Sequence, residues 1–411
     1  MSKKVDVLVI GGGPAGTISA VTTKKYYPDK KITLIKDVEN GCIPCGIPYM
    51  FSSLKNPDEN KLGNAALEKN KIDLEIDEAI SINRGKKEVT TKTGNTYTYG
   101  KLILAIGSTP ITPPIPGIDK EGVYAIYKDM DYLKEKINEI KNSRHVMILG
   151  GGFIGVEFAD EIAKISGVKV TIVEMLPSLL SHSFDPEFSE IVEQKLTSQG
   201  IDVLTGIRVE EIRGNKKVEK VILSGGKELE VDSIVLGVGS TPNTKLAFDA
   251  GLDRGKGKGI WVDEYMRTSD PDIFAVGDCA GKRDFYTRKD TAIMLASTAT
   301  AEARIAGANL FKLKVVRENK GTISTIVTFT PLIFAISSAN STPTRQSGIL
   351  MGGQVSGGIS AGEVINIIGL AIQQRVSATE LETLQIATHP YLTSAPTMYP
   401  IIAAAQSAPG I

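Results

Sequence analysis

The run Val5-Asp6-Val7-Leu8-Val9-Ile10-Gly11-Gly12-Gly13-Pro14-Ala15-Gly16 decides the fold of this chain. An apolar strand at 5–10 runs straight into a G-x-G-x-x-G loop, and a helix over about 15–26 leads to a second strand at 32–35. Strand, glycine turn, helix and strand in that order make a βαβ nucleotide unit. The glycines permit a tight turn and close approach of a pyrophosphate, while the helix start offers free N–H groups and a partial positive charge. The design begins again at Gly150-Gly151-Gly152-Phe153-Ile154-Gly155, after a strand at 146–149 and before a helix to about 165 and a strand at 168–173. Gly107-Ser108-Thr109-Pro110 likewise returns as Gly239-Ser240-Thr241-Pro242, which points to two copies of one nucleotide-binding design.

Around these units, residues 37–48 are turn-rich and lead into an expected helix from 47. Residues 72–106 alternate as strands do, with a hairpin signal at Lys92-Thr93-Gly94-Asn95. The proline-rich stretch 111–117 marks a boundary. A strand ending at Gly277-Asp278 precedes an alanine-rich helix, and beyond Gly321 charge becomes sparse, with an amphipathic helix near 363–374.

The chain has 411 residues, enough for two or three cores. Its 47 basic residues balance 47 acidic ones, so no net field draws it to nucleic acid or an anionic membrane. Three cysteines are too few for a disulfide scaffold, no apolar run is long enough to span a membrane, and no signal peptide precedes the first strand. A cytoplasmic protein with no membrane span is expected.

Side chains around the loops carry the chemistry. Glu174 ends the strand after the second loop, where a carboxylate accepts from a ribose 2′-OH and repels a 2′-phosphate; no Lys or Arg lies between Met175 and Phe184, so NADH is favoured over NADPH. The matching position in the first unit is Lys36, followed by Asp37, a departure in which either side chain is a candidate for the ribose. Cys42 and Cys45 follow the first unit. Two nucleotide sites and a thiol pair imply that reducing equivalents pass from one nucleotide to another and then to sulfur.

The paired glycine loops, Tyr99-Gly100-Lys101-Leu102-Ile103-Leu104-Ala105-Ile106-Gly107-Ser108 and Thr268-Ser269-Asp270-Pro271-Asp272-Ile273-Phe274-Ala275-Val276-Gly277-Asp278 resemble the pyridine nucleotide-disulfide oxidoreductase family over about residues 3–320. Cys45-Gly46-Ile47-Pro48-Tyr49 is similar to its branch of coenzyme A-disulfide reductases, NADH oxidases and NADH peroxidases. The resemblance implies an α/β fold of two Rossmann-like domains and a short α+β interface domain. FAD would bind residues 1–112 and 245–320, NADH the inserted residues 113–244, and residues 321–411 would form a homodimer.

It also implies site roles. Gly11, Gly13, Pro14, Ala15, Gly16, Lys36, Asp37, Gly107 and Asp278 would serve FAD, with Asp278 at the ribityl chain. Gly150, Gly152, Phe153, Ile154, Gly155, Glu157 and Glu174 would serve NADH; Glu157 either orients the carboxamide or is a surface charge. Cys45 would face the flavin, its thiolate favoured by a helix starting near Gly46-Ile47. Cys42 pairs with it, resolves a mixed disulfide, or merely packs; Cys279 packs, and no metal site is expected. His145 and His182 are incidental. His389-Pro390 resembles the family's acid–base His-Pro, with Tyr391 and Tyr399 as substitutes, and Arg345 to Gln354 resembles the interface hairpin. Pro14 stands where peroxidases of the branch carry a histidine. The implied reaction is FAD-dependent reduction by NADH of a small disulfide, persulfide or polysulfide; the alternative is NADH oxidase activity, reducing O2 to hydrogen peroxide or water. A non-enzymatic, NADH-responsive binding protein is a third class, separable by turnover.

Overall fold

A computed structural model describes residues 2–255, 257–285, 287–315, 318–329, 333–338, 349–357, 361–377, 380–381, 384 and 400–406. They fall into two compact units, residues 1–179, 196–282 and 290–320 in one, and 180–195, 283–289 and 321–411 in the other.

The larger unit holds two sheets built around parallel strands in the same design, the first of them mixed. In the first, strand Lys3–Ile10 lies between Ile32–Lys36 and Thr96–Leu104, parallel to both. Val7, Leu8 and Val9 are fully buried, as expected for a strand covered on both faces. Strand Asp73–Ile76 extends this sheet beyond Ile32–Lys36. Thr96–Leu104 is shared: its first half pairs antiparallel with Glu88–Thr91 across the Lys92–Asn95 turn, its second half parallel with Ile273–Ala275. The turn forms where the sequence places it because Gly94 supplies a positive φ of 87°.

The second sheet runs Asp202–Leu204, Lys169–Val173, His145–Leu149, Ser233–Leu236 and Val123–Ala125, with every adjacent pair parallel. It is inserted between Thr96–Leu104 and Ile273–Ala275 of the first. The repeated Ser-Thr-Pro segments pair with each other, Ser108–Pro110 antiparallel to Ser240–Pro242. The duplicated motif is therefore also a junction between the two sheets.

In the smaller unit, strands Ser324–Phe329, Ile333–Ser338 and Gly352–Gly357 form an antiparallel sheet. Helix Ala361–Gln374 buries Val364, Ile365, Ile368 and Ile372 in a core with Phe285, Ile323 and Leu381. Asp185 and Gln354 are paired here by two hydrogen bonds, of 3.1 and 2.7 Å. Of the interface hairpin expected at 345–354, only 349–354 lies among the described residues, and its strand pairs with Ile333–Ser338. Among the described residues no helix is long and apolar enough to cross a membrane.

Candidate active site

Each glycine loop turns its chain from strand to helix in nearly the same conformation. Gly11 has φ +110° and Gly150 φ +106°, where a β-carbon would come within 2.1 Å of the Ala105 carbonyl oxygen or 2.8 Å of that of Gly237. The N-caps match as well, Gly13 at φ −73°, ψ −175° and Gly152 at φ −76°, ψ −175°. Pro14 and Phe153 open helices Pro14–Tyr26 and Phe153–Ala163, and neither helix has an acidic residue in its first turn to oppose an anion. A side chain added at Gly13 or Gly152 would meet nothing within 4 Å. Both cradles thus open onto clear space beside helix starts, which fits a dinucleotide pyrophosphate at each. Ala15, Gly16 and Gly155 lie within the same turns, and Ile154 is exposed beside the second.

The side chains beneath the loops differ. Lys36 runs its aliphatic stem under Gly12, whose β-carbon would lie 2.5 Å from Lys36 Cδ. Its ammonium donates to the Glu39 carbonyl at 2.9 Å and Asn64 Oδ1 at 3.0 Å, and burial lowers its pKa. Lys36 thereby ties the first nucleotide unit to the segment that carries the cysteines; Asp37 beside it is exposed. Glu174, 9% exposed, accepts from the Gly151 N–H at 2.6 Å and the Leu176 N–H at 2.7 Å. The carboxylate stabilises the turn and retains acceptor lone pairs for a ribose hydroxyl.

Asp278 lies in the short turn Gly277–Cys279, and a β-carbon at Gly277 would come within 2.9 Å of Ala15 Cβ, so this turn rests on the first glycine loop. Asp278 Oδ2 accepts from Ser108 Oγ at 2.7 Å and Lys128 Nζ at 3.3 Å. From below, Glu302 accepts the Gly277 N–H at 2.9 Å, and the buried Lys282 ammonium donates to Glu302 at 3.0 Å and to the Gly277 and Ala280 carbonyls. Cys279 is fully buried, its thiol directed at the Leu104 and Val276 carbonyls. Gly107, at φ +66°, opens onto free space.

The expected α-helix after Cys45 does not form. The chain makes two 3-10 turns instead, Pro44–Gly46 and Pro48–Phe51. In a helix from 46 or 47, Pro48 would stand in the first turn, where its missing N–H costs nothing. The bonds that close here, Ile47 N–H to the Pro44 carbonyl at 3.3 Å and Met50 N–H to the Ile47 carbonyl at 3.2 Å, span three residues rather than four. The helix-end field expected at Cys45 is therefore not built, because so few peptides align. Cys45 is an exposed free thiol inside the first turn. Asn60, 3% exposed, brackets it, donating to the Ile43 carbonyl at 3.1 Å and packing its side chain against Gly46. Cys42 is also free but 3% exposed, and burial pushes its thiol up to about 11 despite the opposing charge of Lys128.

Beyond Cys45 the chain lies along helix Phe153–Ala163. Tyr49 Oη donates to Glu157 Oε1 at 3.3 Å, Phe51 packs edge-on against Phe158 with ring centroids 5.2 Å apart, and Ser53 donates to Glu161 through its N–H at 2.8 Å and Oγ at 2.7 Å. Glu157 is half-buried beside Tyr49. Both nucleotide cradles and the exposed cysteine belong to one compact unit. Sequence reading missed Asn60, Lys128, Ser53 and Glu161; Gly46 gave the one local hint, a small residue where Asn60 must fit. His389, Tyr391 and Tyr399 lie outside the described residues. His145 joins Thr171 Oγ1 at 2.8 Å, a bond within its sheet.

Residues 5–303 match the sequence profile described as pyridine nucleotide-disulphide oxidoreductase. An NADH oxidase of Methanocaldococcus jannaschii is 30% identical over 93% of this chain and 94% of that protein. An NAD(P)H coenzyme A polysulfide/persulfide reductase of Pyrococcus horikoshii is 32% identical over 75% of this chain and 70% of that protein. The structure of an NAD-dependent persulfide reductase from A. fulgidus superposes with a TM-score of 0.89 at 27% identity, covering 98% of this chain and 82% of that one. Duplicated cradles, the turn resting on the first of them and this full-length similarity together place the chain in the pyridine nucleotide-disulphide oxidoreductase family, in its branch of coenzyme A-disulfide reductases and NADH oxidases.

Proposed function

We propose that this chain is an FAD-dependent NADH oxidoreductase that reduces a small disulfide, persulfide or polysulfide through Cys45. The observation that carries this reading is the contrast between the cysteines: Cys45 is exposed in a turn bracketed by Asn60, while Cys42 is buried and held neutral. FAD at the first loop and NADH at the second would supply the electron pair that returns Cys45 to its reduced state.

This chain's own part is orientation and sulfur chemistry. Gly11, Gly13, Pro14, Ala15, Gly16, Gly107, Lys36, Asp37 and Asp278 serve the FAD; Gly150, Gly152, Phe153, Ile154, Gly155, Glu157 and Glu174 serve the NADH. Cys45 as thiolate attacks one sulfur of the acceptor, forming a mixed disulfide and expelling the other half as a thiolate. His389 protonates that leaving group, a task suited to an imidazole. Cys42, neutral near pH 7, is a poor nucleophile for that attack, and it would resolve a mixed disulfide on Cys45 only after giving up its proton. The FAD and NAD regions are residues 1–112 with 245–320 and residues 113–244, and residues 321–411 mediate a cytoplasmic homodimer. Three free thiols among the described residues suit a reducing compartment.

The second reading, an NADH oxidase that reduces O2, is favoured by the similarity to the M. jannaschii protein along nearly the whole chain. Anaerobic stopped-flow separates them: NADH-reduced protein is offered coenzyme A disulfide, polysulfide or O2 in parallel. Cys45→Ser is expected to slow reoxidation by both sulfur acceptors by about 100-fold or more. Undiminished sulfur reduction by Cys45→Ser would refute the thiol mechanism.

A further inference from the structure

Helix Phe153–Ala163 has two ends of different character. Its first turn borders the second glycine loop, while its later residues hold the segment that carries Cys45. The grip is regular: Tyr49, Phe51 and Ser53, at alternate positions, meet Glu157, Phe158 and Glu161. Glu157 and Glu161 stand one helical turn apart and so share a face.

The Glu161 contact is costly for a mere packing contact. Asp160 and Glu161 are each 1% exposed, and Lys164 is the cation beside both, 2.9 Å from Asp160 and 2.5 Å from Glu161. Burying two adjacent carboxylates against one ammonium is unfavourable unless their lone pairs are well bonded. Gln199 Nε2 donates to Asp160 at 3.0 Å, and Ser53 gives Glu161 both its N–H and its hydroxyl. The Phe51–Phe158 pair already supplies apolar adhesion. What the carboxylate adds is register: a two-point hold on one residue fixes the segment along the helix, where apolar contact alone would let it slide.

We propose that Glu161 and Ser53 are a positioning pair that fixes the Cys45 segment in register on the helix of the second nucleotide loop, so that a nucleotide bound there is felt at Cys45. This rests on the reading of that loop as the NADH site. The ordering of the helix start by a pyrophosphate reaches Cys45 through a continuous chain of contacts: helix, Glu161, Ser53, then eight residues back along the segment.

The test uses the full-length flavin-loaded protein and NAD+, which binds without driving turnover. The rate of Cys45 alkylation by N-ethylmaleimide is followed by peptide mass spectrometry, and NAD+ binding by calorimetry. Saturating NAD+ is expected to change the wild-type labelling rate by about fivefold or more. In Ser53→Ala, a mild change at an exposed residue, NAD+ should still bind while this ratio falls to near one; Ser53→Thr, which keeps both donors, should restore it. Glu161→Gln should behave as Ser53→Ala does, and its flavin content reports whether it is folded. A ratio in Ser53→Ala equal to that of wild type would overturn the proposal and show that the nucleotide simply shields the thiol. Wild-type protein that binds NAD+ without any change in labelling overturns this proposal alone; wild-type protein that binds no NAD+ overturns the reading of the loop as well.

Discussion

The two glycine loops have almost one backbone and opposite side chains beneath it. Gly11 and Gly150 agree to 4° in φ, and the N-cap glycines share a ψ of −175°. Gly16 and Gly155 are equally constrained, since a β-carbon would fall 1.9 Å from the Gly11 carbonyl oxygen in one and 2.0 Å from that of Gly150 in the other. Under the first loop lies the stem of Lys36; under the second, the Glu174 carboxylate bonds the loop itself. Glycine spacing dictates the cradle, and the residue at the end of the following strand differs in charge and in what it bonds. The pair also shows two ways to support a tight turn, by apolar packing below it or by a carboxylate that accepts one of its N–H groups.

The likeness breaks most severely at the first glycines. Gly11→Ala forces a β-carbon against the Ala105 carbonyl at positive φ and should cost about 3 kcal/mol or more of stability, with loss of bound flavin. Gly150→Ala meets its nearest carbonyl at 2.8 Å and should cost about 1–2 kcal/mol, mainly weakening NADH. Thermal melts and the flavin absorbance of both variants rank them, and equal losses would mean that the loops are equally tight.

The contrast in charge is sharpened by Glu174→Ala. It removes the proposed ribose acceptor and the partner of the Gly151 N–H, and should raise KM for NADH about tenfold. Adding Met175→Arg should turn the preference toward NADPH, read as the ratio of kcat/KM values. Lys36→Glu tests the converse. It forfeits the bonds to Glu39 and Asn64, sets a carboxylate against the Glu39 carbonyl, and should cost about 1–2 kcal/mol or more by urea unfolding, with a fall in the flavin retained.

The smallest effect concerns alkaline pH. The three cysteines belong to the first nucleotide half, and burial pushes Cys42 and Cys279 up to about 11 from an ordinary 9.0. The folded chain keeps protons there that the unfolded chain has given up, so stability is lost as pH rises from 9.0 toward about 11. Cys42→Ala should flatten part of that fall, and an unchanged slope in urea titrations across this window would contradict it.

Much of this was legible in the residues because glycine, proline and strand periodicity act locally. Both βαβ units and the hairpin at Gly94 follow from a few neighbouring residues, whereas the strand expected to reach Asp278 stops at Ala275 and a short turn takes over. The helix expected after Cys45 is the exception: Pro48 suits the first turn of a helix, so no local signal showed that the segment would stop at two 3-10 turns. Ser53 and Glu161 were beyond reach, being 108 positions apart and each unremarkable in its own segment. Lys128 met Asp278 from 150 positions away for the same reason. Lys36 read as a flaw in a ribose site, and only its burial showed it to be a tie between two segments.

The divided pairing of strand Thr96–Leu104 bears on how the protein is made. Its second half waits for Ile273–Ala275, a partner that emerges from the ribosome only after the entire inserted sheet. Contacts so distant in sequence close late, and domains tend to fold as units as they are synthesised. The guest sheet can therefore be complete while the host still has an open edge, and truncation before Ile273 should leave a folded insert beside an unfinished, aggregation-prone host.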